Sequence, residues 1–130
     1  MASVEELRGR FTALEEAYEF FLAYAAQGLS GDAGSRSGGQ LRSFLAGAAE
    51  AVDGVAAALR SVVEADRSGA SDAWADMIEA VERDASAALA ALRLVASRAS
   101  VSSQLVDNLN ANIHLRALLT DFFLIDDLLG

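Results

Sequence analysis

Apolar residues recur every three or four positions along most of the chain, and this spacing constrains the fold more than any other feature. The first segment shows it without a gap, at Val4, Leu7, Phe11, Leu14, Tyr18, Phe21 and Ala25. Such steps place side chains on one face of an α-helix. Ser3 and Glu6 have the spacing of a capping box, and Gly28 can end a helix, so we predict a helix over 3–28.

Three later segments, 40–66, 71–99 and 101–129, show the same helical spacing. Between the first two helices, residues 29–39 are mostly glycine and serine, which predicts a mobile loop. The break near Ser100 contains neither glycine nor proline. An alternative is therefore that the last two segments form one continuous helix.

The predicted fold is all-α: an antiparallel four-helix bundle in up-down-up-down order, forming a single domain over 1–130. Four long helices with short connections pack most simply in this way. The chain has no proline and much alanine, a composition that favours long helices. Apolar residues make up 53% of the chain, enough for a core without disulfides, and cysteine is absent.

The charge of the chain argues against two classes of partner. A formal net charge of -9 opposes binding to nucleic acid and to anionic membranes.

No run approaches the roughly 18 apolar residues of a membrane span, and the charged first ten residues do not resemble a signal peptide. We expect a cytoplasmic protein. All ten basic residues are arginine, whose codons are GC-rich, so a bacterial source is expected.

Folding the segments up and down brings polar residues to one level of the bundle. Turn centres near residues 34, 68 and 100 place Glu16 level with Val52, and Ala85 level with Leu115. The polar residues near that level are Glu15, Glu16, Glu19, Glu50, Asp53, Asp84, Asn112 and His114. The third segment is nearly all alanine there, and these small side chains leave room between the helices for a functional site.

The acidic residues at this level also have a family-like spacing. Leu14-Glu15-Glu16-Ala17-Tyr18-Glu19 followed by Glu50-Ala51-Val52-Asp53 resembles the E-E-x-x-E … E-x-x-D signature of the MazG-like all-α nucleoside triphosphate pyrophosphohydrolases. The resemblance implies two antiparallel helices whose carboxylates bind Mg²⁺, a cation that prefers oxygen ligands. The metal ligands it implies are Glu15, Glu16, Glu19, Glu50 and Asp53. Otherwise these acids form a solvated face of the first two helices.

His114, the only histidine, has three interpretations. A phosphoacceptor in a histidine phosphotransfer module would be exposed in the middle of a helix. A haem ligand would need Met77, which lies about 12 Å away along the bundle axis, so this interpretation fails. We favour a structural histidine that hydrogen-bonds a carboxylate or asparagine of another helix.

The end of the last segment is apolar on nearly every side. Its large apolar residues are Leu118, Leu119, Phe122, Phe123, Leu124, Ile125, Leu128 and Leu129. A helix buried on one face needs only three or four apolar positions in seven. One stripe can therefore face the core, and the other is left for a second copy of the chain or a protein partner.

The leading hypothesis is a small interaction protein, not an enzyme, that docks through its C-terminal helix. It would be a homo-oligomer or an accessory subunit of a larger assembly. The alternatives are a divergent Mg²⁺-dependent nucleoside triphosphate pyrophosphohydrolase and a histidine phosphotransfer module. No catalytic residue can be assigned, and no cofactor is expected except Mg²⁺ in the first alternative.

Overall fold

Regular structure in the chain is helical wherever it is described. The computed structural model describes residues 2–66 and 71–129. Within these ranges the helices are α1 (Val4–Ala25), α2 (Arg36–Val52), α3 (Val55–Ala65), α4 (Asp72–Ala96), α5 (Ser103–Ala111) and α6 (Ile113–Leu129). The predicted all-α class is confirmed, with six helices in the described ranges where the sequence analysis expected four.

Serine side chains begin four of these helices. The capping residues are Ser3, Ser35, Ser71 and Ser102, and each hydroxyl accepts a hydrogen bond from the backbone N–H three residues later. Such caps satisfy N–H groups that have no partner inside the helix. Because Ser35 caps α2, residues 36–39 are helical, and the predicted loop over 29–39 is shorter than expected.

The continuous helix predicted over 40–66 is broken at Asp53 and Gly54. Gly54 has φ +80°, a left-handed conformation that glycine adopts without a steric penalty. Asp53 is extended, and its carbonyl accepts a 2.7 Å hydrogen bond from the Arg10 guanidinium. Arg10 thereby satisfies a carbonyl group that the end of α2 leaves unpaired.

The helix predicted over 101–129 is likewise broken, at Asn112. Its backbone is extended, and its Oδ1 accepts hydrogen bonds from the N–H groups of His114 (3.0 Å) and Leu115 (3.3 Å). Asparagine is a favoured N-cap, so it ends α5 and begins α6. The alternative of one continuous helix from the last two segments is also wrong, because α4 ends at Ala96 and α5 begins at Ser103.

The loop before α2 is fastened to the connection between α4 and α5. Leu29 and Ser103 exchange two hydrogen bonds, each 2.9 Å long, through the Leu29 backbone. The Tyr24 hydroxyl donates to the Val101 carbonyl at 2.8 Å. The segment predicted to be mobile therefore has specific hydrogen-bonded partners at one end of the molecule.

The helices enclose one apolar core. α1 and α4 each pack against all four of α2, α3, α5 and α6. Between α1 and α6, the ring of Phe11 stacks on that of Phe122, with centroids 4.1 Å apart. Burial of each large core side chain stabilises the fold by about 1.5–3 kcal/mol. Within 2–66 and 71–129, no helix combines the length and the apolar character needed to cross a membrane.

Candidate functional site

The five acids expected to bind Mg²⁺ are directed toward different neighbours. Glu15 and Glu19 line a cleft together with Arg116 of α6. Asp53 instead lies 3.4 Å from the guanidinium of Arg93 on α4. Glu16 and Glu50 are exposed. In the part of the chain that the structure describes, no three acidic or histidine side chains lie close enough together to hold a metal ion.

The other three polar residues of that level do not share one set of neighbours. His114 is exposed at the start of α6, and its ring has no hydrogen-bond or ion-pair partner among the described residues. The hydrogen bond to another helix that we expected for this histidine is thus not observed. The Asn112 side chain caps α6. Asp84 lies on α4, where it contacts a residue outside the expected group.

That residue is Asp121 of α6, whose carboxyl group lies within hydrogen-bonding reach of Asp84. Asp121 Oδ2 is buried and has no donor among the described residues. Burial raises the pKa of Asp121 to about 7, and the hydrogen bond and charge of Asp84 also act to raise it. A signal was present in the sequence: Asp121 lies one turn from Leu118 and Ile125, at the edge of the stripe of α6 that faces the core.

The apolar residues at the end of α6 divide into two groups. The buried group consists of Leu118, Leu119, Phe122 and Ile125. The exposed group is Phe123, Leu124 and Leu128, with 56%, 55% and 63% of their surface exposed, and Leu129 is partly buried. One stripe thus packs in the core, and the other faces outward as the angular positions in the sequence indicate.

Two depressions border the exposed group. Leu124 and Leu128 form a wall of a groove of about 680 Å³, and Trp74 and Met77 of α4 line it as well. On the other side, Phe123 borders the smaller cleft of about 220 Å³ that contains Glu15, Glu19 and Arg116. The outer side of α6 therefore presents apolar surface next to charged side chains.

Charged residues near the end of α6 have different surroundings. Asp126 is paired with Arg8 of α1, with Nε 2.8 Å from Oδ1. The neighbouring Asp127 is exposed and has no ion-pair partner within the described ranges.

Comparison with protein-family models, with curated proteins and with solved structures finds no match for this chain.

Proposed function

We propose that this protein acts through protein–protein contact and that it self-associates through the outer face of α6. We define the α6 outer face as Ile113, Arg116, Ala117, Thr120, Phe123, Leu124, Asp127 and Leu128. The observation that carries the proposal is the exposure of Phe123, Leu124 and Leu128 on consecutive turns. Full burial of such a side chain is worth about 1.5–3 kcal/mol, and more than half of each one is still exposed. Contiguous exposed apolar surface of this kind is typical of interaction sites.

The proposed architecture beneath this face is an antiparallel four-helix bundle. In it, α2 and α3 form one interrupted rod, and α5 and α6 form another. Support comes from the packing: α1 contacts both members of each rod, and α4 does the same. A cyclic arrangement of α1, the first rod, α4 and the second rod accounts for these contacts.

The charges on the α6 outer face favour a second copy as the occupant. Arg116 lies near the start of the helix and Asp127 near its end, on the same side and about 16 Å apart along the axis at 1.5 Å per residue. In an antiparallel pair of α6 helices, Arg116 of each copy lies beside Asp127 of the other. Thr120 and Phe123 then meet between the two charge pairs. This contact has the two-fold symmetry that is commonest among oligomers.

The other two functions have less support. For a pyrophosphohydrolase, the acids of α1 and α2 would have to converge on Mg²⁺, whereas Glu15 borders α6 and Asp53 pairs with Arg93. For a phosphotransfer module, exposure of His114 is favourable, but its place in the first turn of α6 differs from the expected mid-helix position. An accessory-subunit role would use the same α6 outer face with a different protein.

The test is the mass of the full-length chain in solution, measured by light scattering after gel filtration over a range of concentrations. We expect the wild type to have twice the 13.6 kDa mass of one chain. Phe123→Asp and Leu124→Asp should give folded monomers, with folding checked by circular dichroism. The control is Leu94→Asp: Leu94 is 68% exposed on α4, outside the α6 outer face, and its substitution should leave the dimer intact.

Charge reversal tests the antiparallel arrangement separately. Arg116→Asp alone should weaken the dimer, because it places two acids together, and adding Asp127→Arg should restore it. A wild type that is monomeric at every concentration contradicts self-association and leaves a different protein as the occupant. A dimer that survives Phe123→Asp but not Leu94→Asp would place the contact elsewhere.

A further inference from the structure

Asp84 of α4 and Asp121 of α6 face each other between the two helices, and each residue is partly buried. The residues one turn away on α4 are Ala80, Val81, Ala87 and Ala88, and those on α6 are Ala117, Leu118, Leu124 and Ile125. α4 and α6 pack directly on each other, and Asp121 Oδ2 is buried with no donor in the described part of the chain. The side chains one turn away are therefore apolar, and both aspartates remain partly exposed to water.

Two ionised carboxylates have only acceptor atoms, so a hydrogen bond between them requires one proton. Like charges this close also favour retention of that proton, as in other paired carboxyl groups. Burial is the larger cause that raises the pKa of Asp121 to about 7, followed by the hydrogen bond and the charge of Asp84.

No cation on a neighbouring helix neutralises this pair within the described ranges. On α1, Arg8 is paired with Asp126, and Glu15 and Glu19 line the cleft on another side of α6. On α5, the titratable residue is Asp107, which is exposed. On the two other helices that pack against α4, Arg60 of α3 is paired with Glu82, and Arg42 of α2 is paired with Asp32. Among the described residues, Asp84 is therefore the charged group that acts on the pKa of Asp121.

We propose that Asp84 and Asp121 form a proton-binding site, which holds one proton between α4 and α6 and loosens the docking of α6 when the proton is released to water. The proposal does not depend on self-association, because both carboxyl groups belong to one chain. Its physical basis is that deprotonation removes the hydrogen bond between the two carboxyl groups and leaves two partly buried like charges in its place. The site senses pH without a metal or a cofactor.

The direct test is a titration of the side-chain carboxyl carbons by NMR on the full-length protein between pH 4 and pH 9. We expect one carboxyl to titrate near neutral pH and this signal to vanish in Asp121→Asn. In Asp84→Asn, the new amide can donate to Asp121, so Asp121 should titrate at least about one pH unit lower. Asp76→Asn, an exposed position on α4, is the control and should leave the neutral titration unchanged.

The second test follows stability with pH. Because the pKa of Asp121 is raised on folding, the pair contributes most below about pH 4, and the contribution is lost as pH rises to about 7. Asp121→Asn should therefore favour the folded state about tenfold or more over the wild type at pH 8, the equivalent of one pKa unit, with no advantage at pH 4. Asp76→Asn should show no such pH-dependent gain.

Loosening of α6 is measured by hydrogen exchange of its backbone amides, corrected for the intrinsic dependence of exchange on pH. We expect protection of α6 to fall between pH 6 and pH 8 in the wild type and to stay constant in Asp121→Asn. The proposal is overturned if every carboxyl titrates below pH 5.5, or if α6 protection in the wild type does not change. If Asp121→Asn fails to fold, the titrations of the wild type and of Asp84→Asn still test the proton-binding site.

Discussion

Arg42 of α2 reaches back to Asp32 in the preceding loop, with its Nε 2.8 Å from Oδ2. The same guanidinium donates to the carbonyls of Ala96 and Arg98 near the end of α4, at 2.9 Å each. The other oxygen of Asp32 accepts a 2.7 Å hydrogen bond from the Val101 N–H. This ion pair therefore joins the loop, α2 and the connection between α4 and α5.

Replacing Asp32 by asparagine should destabilise the protein in a pH-dependent way. The hydrogen bond from Arg42 is the main cause that lowers the pKa of Asp32 to about 2. The ionised Asp32 therefore contributes to the stability of the fold above about pH 4, and this contribution is lost as pH falls toward 2. In urea unfolding at pH 7 we expect a loss of about 1–3 kcal/mol, and a smaller loss at pH 3. Asp107→Asn, at an exposed site, should change little; equal losses at both pH values would contradict this role for Asp32.

Two adjacent glycines in α2 should respond oppositely to alanine. A Cβ on Gly38 would overlap the backbone carbonyl of Asp32, so Gly38→Ala should displace the loop and cost about 1–3 kcal/mol. Gly39 has open space around the same position, and Gly39→Ala should stabilise α2 by about 0.5–1 kcal/mol. Thermal unfolding of both variants measures the contrast. A Gly38→Ala protein as stable as Gly39→Ala would show that the loop adapts freely.

The core face of α1 could be predicted from the sequence because helical spacing sets the angular position of each side chain. Leu7, Phe11, Leu14 and Phe21 all lie in the core, and Ser3 caps the helix as its spacing indicated. The split of α6 into buried and exposed stripes depends on the same angles. Helical spacing therefore predicts which face of each helix is buried.

The breaks inside the helical segments were missed for a physical reason. At Gly54, one left-handed residue changes the direction of the chain, yet the apolar steps from Val52 through Val55 to Leu59 continue across it. The informative signal was local: an Asp-Gly pair, and later Asn112, residues typical of turns and caps. Apolar spacing alone does not detect such breaks.

The partner of Asp84 was missed because the height of residues along the bundle depends on connection lengths. A turn centre at residue 100 placed Asp84 near Asn112 and His114. The structure has a connection over 97–102 and an interruption at Asn112, and Asp84 lies beside Asp121 instead. Spacing predicts which face a residue occupies, and only the connections determine its level.

Gly54 should tolerate alanine poorly. Its φ of +80° is a conformation that costs an L-residue about 1–2 kcal/mol, even though the space around it is open. Gly47→Ala, in the exposed middle of α2, should instead stabilise by about 0.5–1 kcal/mol. Chemical denaturation of both variants distinguishes backbone strain from packing. A stable Gly54→Ala protein would indicate that α2 and α3 can join into one helix.

Asn110 in α5 is a site where an apolar residue should raise stability. Its side chain is 4% exposed, and neither Oδ1 nor Nδ2 has a hydrogen-bond partner among the described residues. A buried amide without partners costs about 1–3 kcal/mol, a cost that leucine of similar size removes. We therefore expect Asn110→Leu to raise the free energy of unfolding by that amount, whereas Asn108→Leu, exposed on the same helix, changes it by no more than about 0.5 kcal/mol. A loss of stability in Asn110→Leu would show instead that the amide binds a buried water molecule.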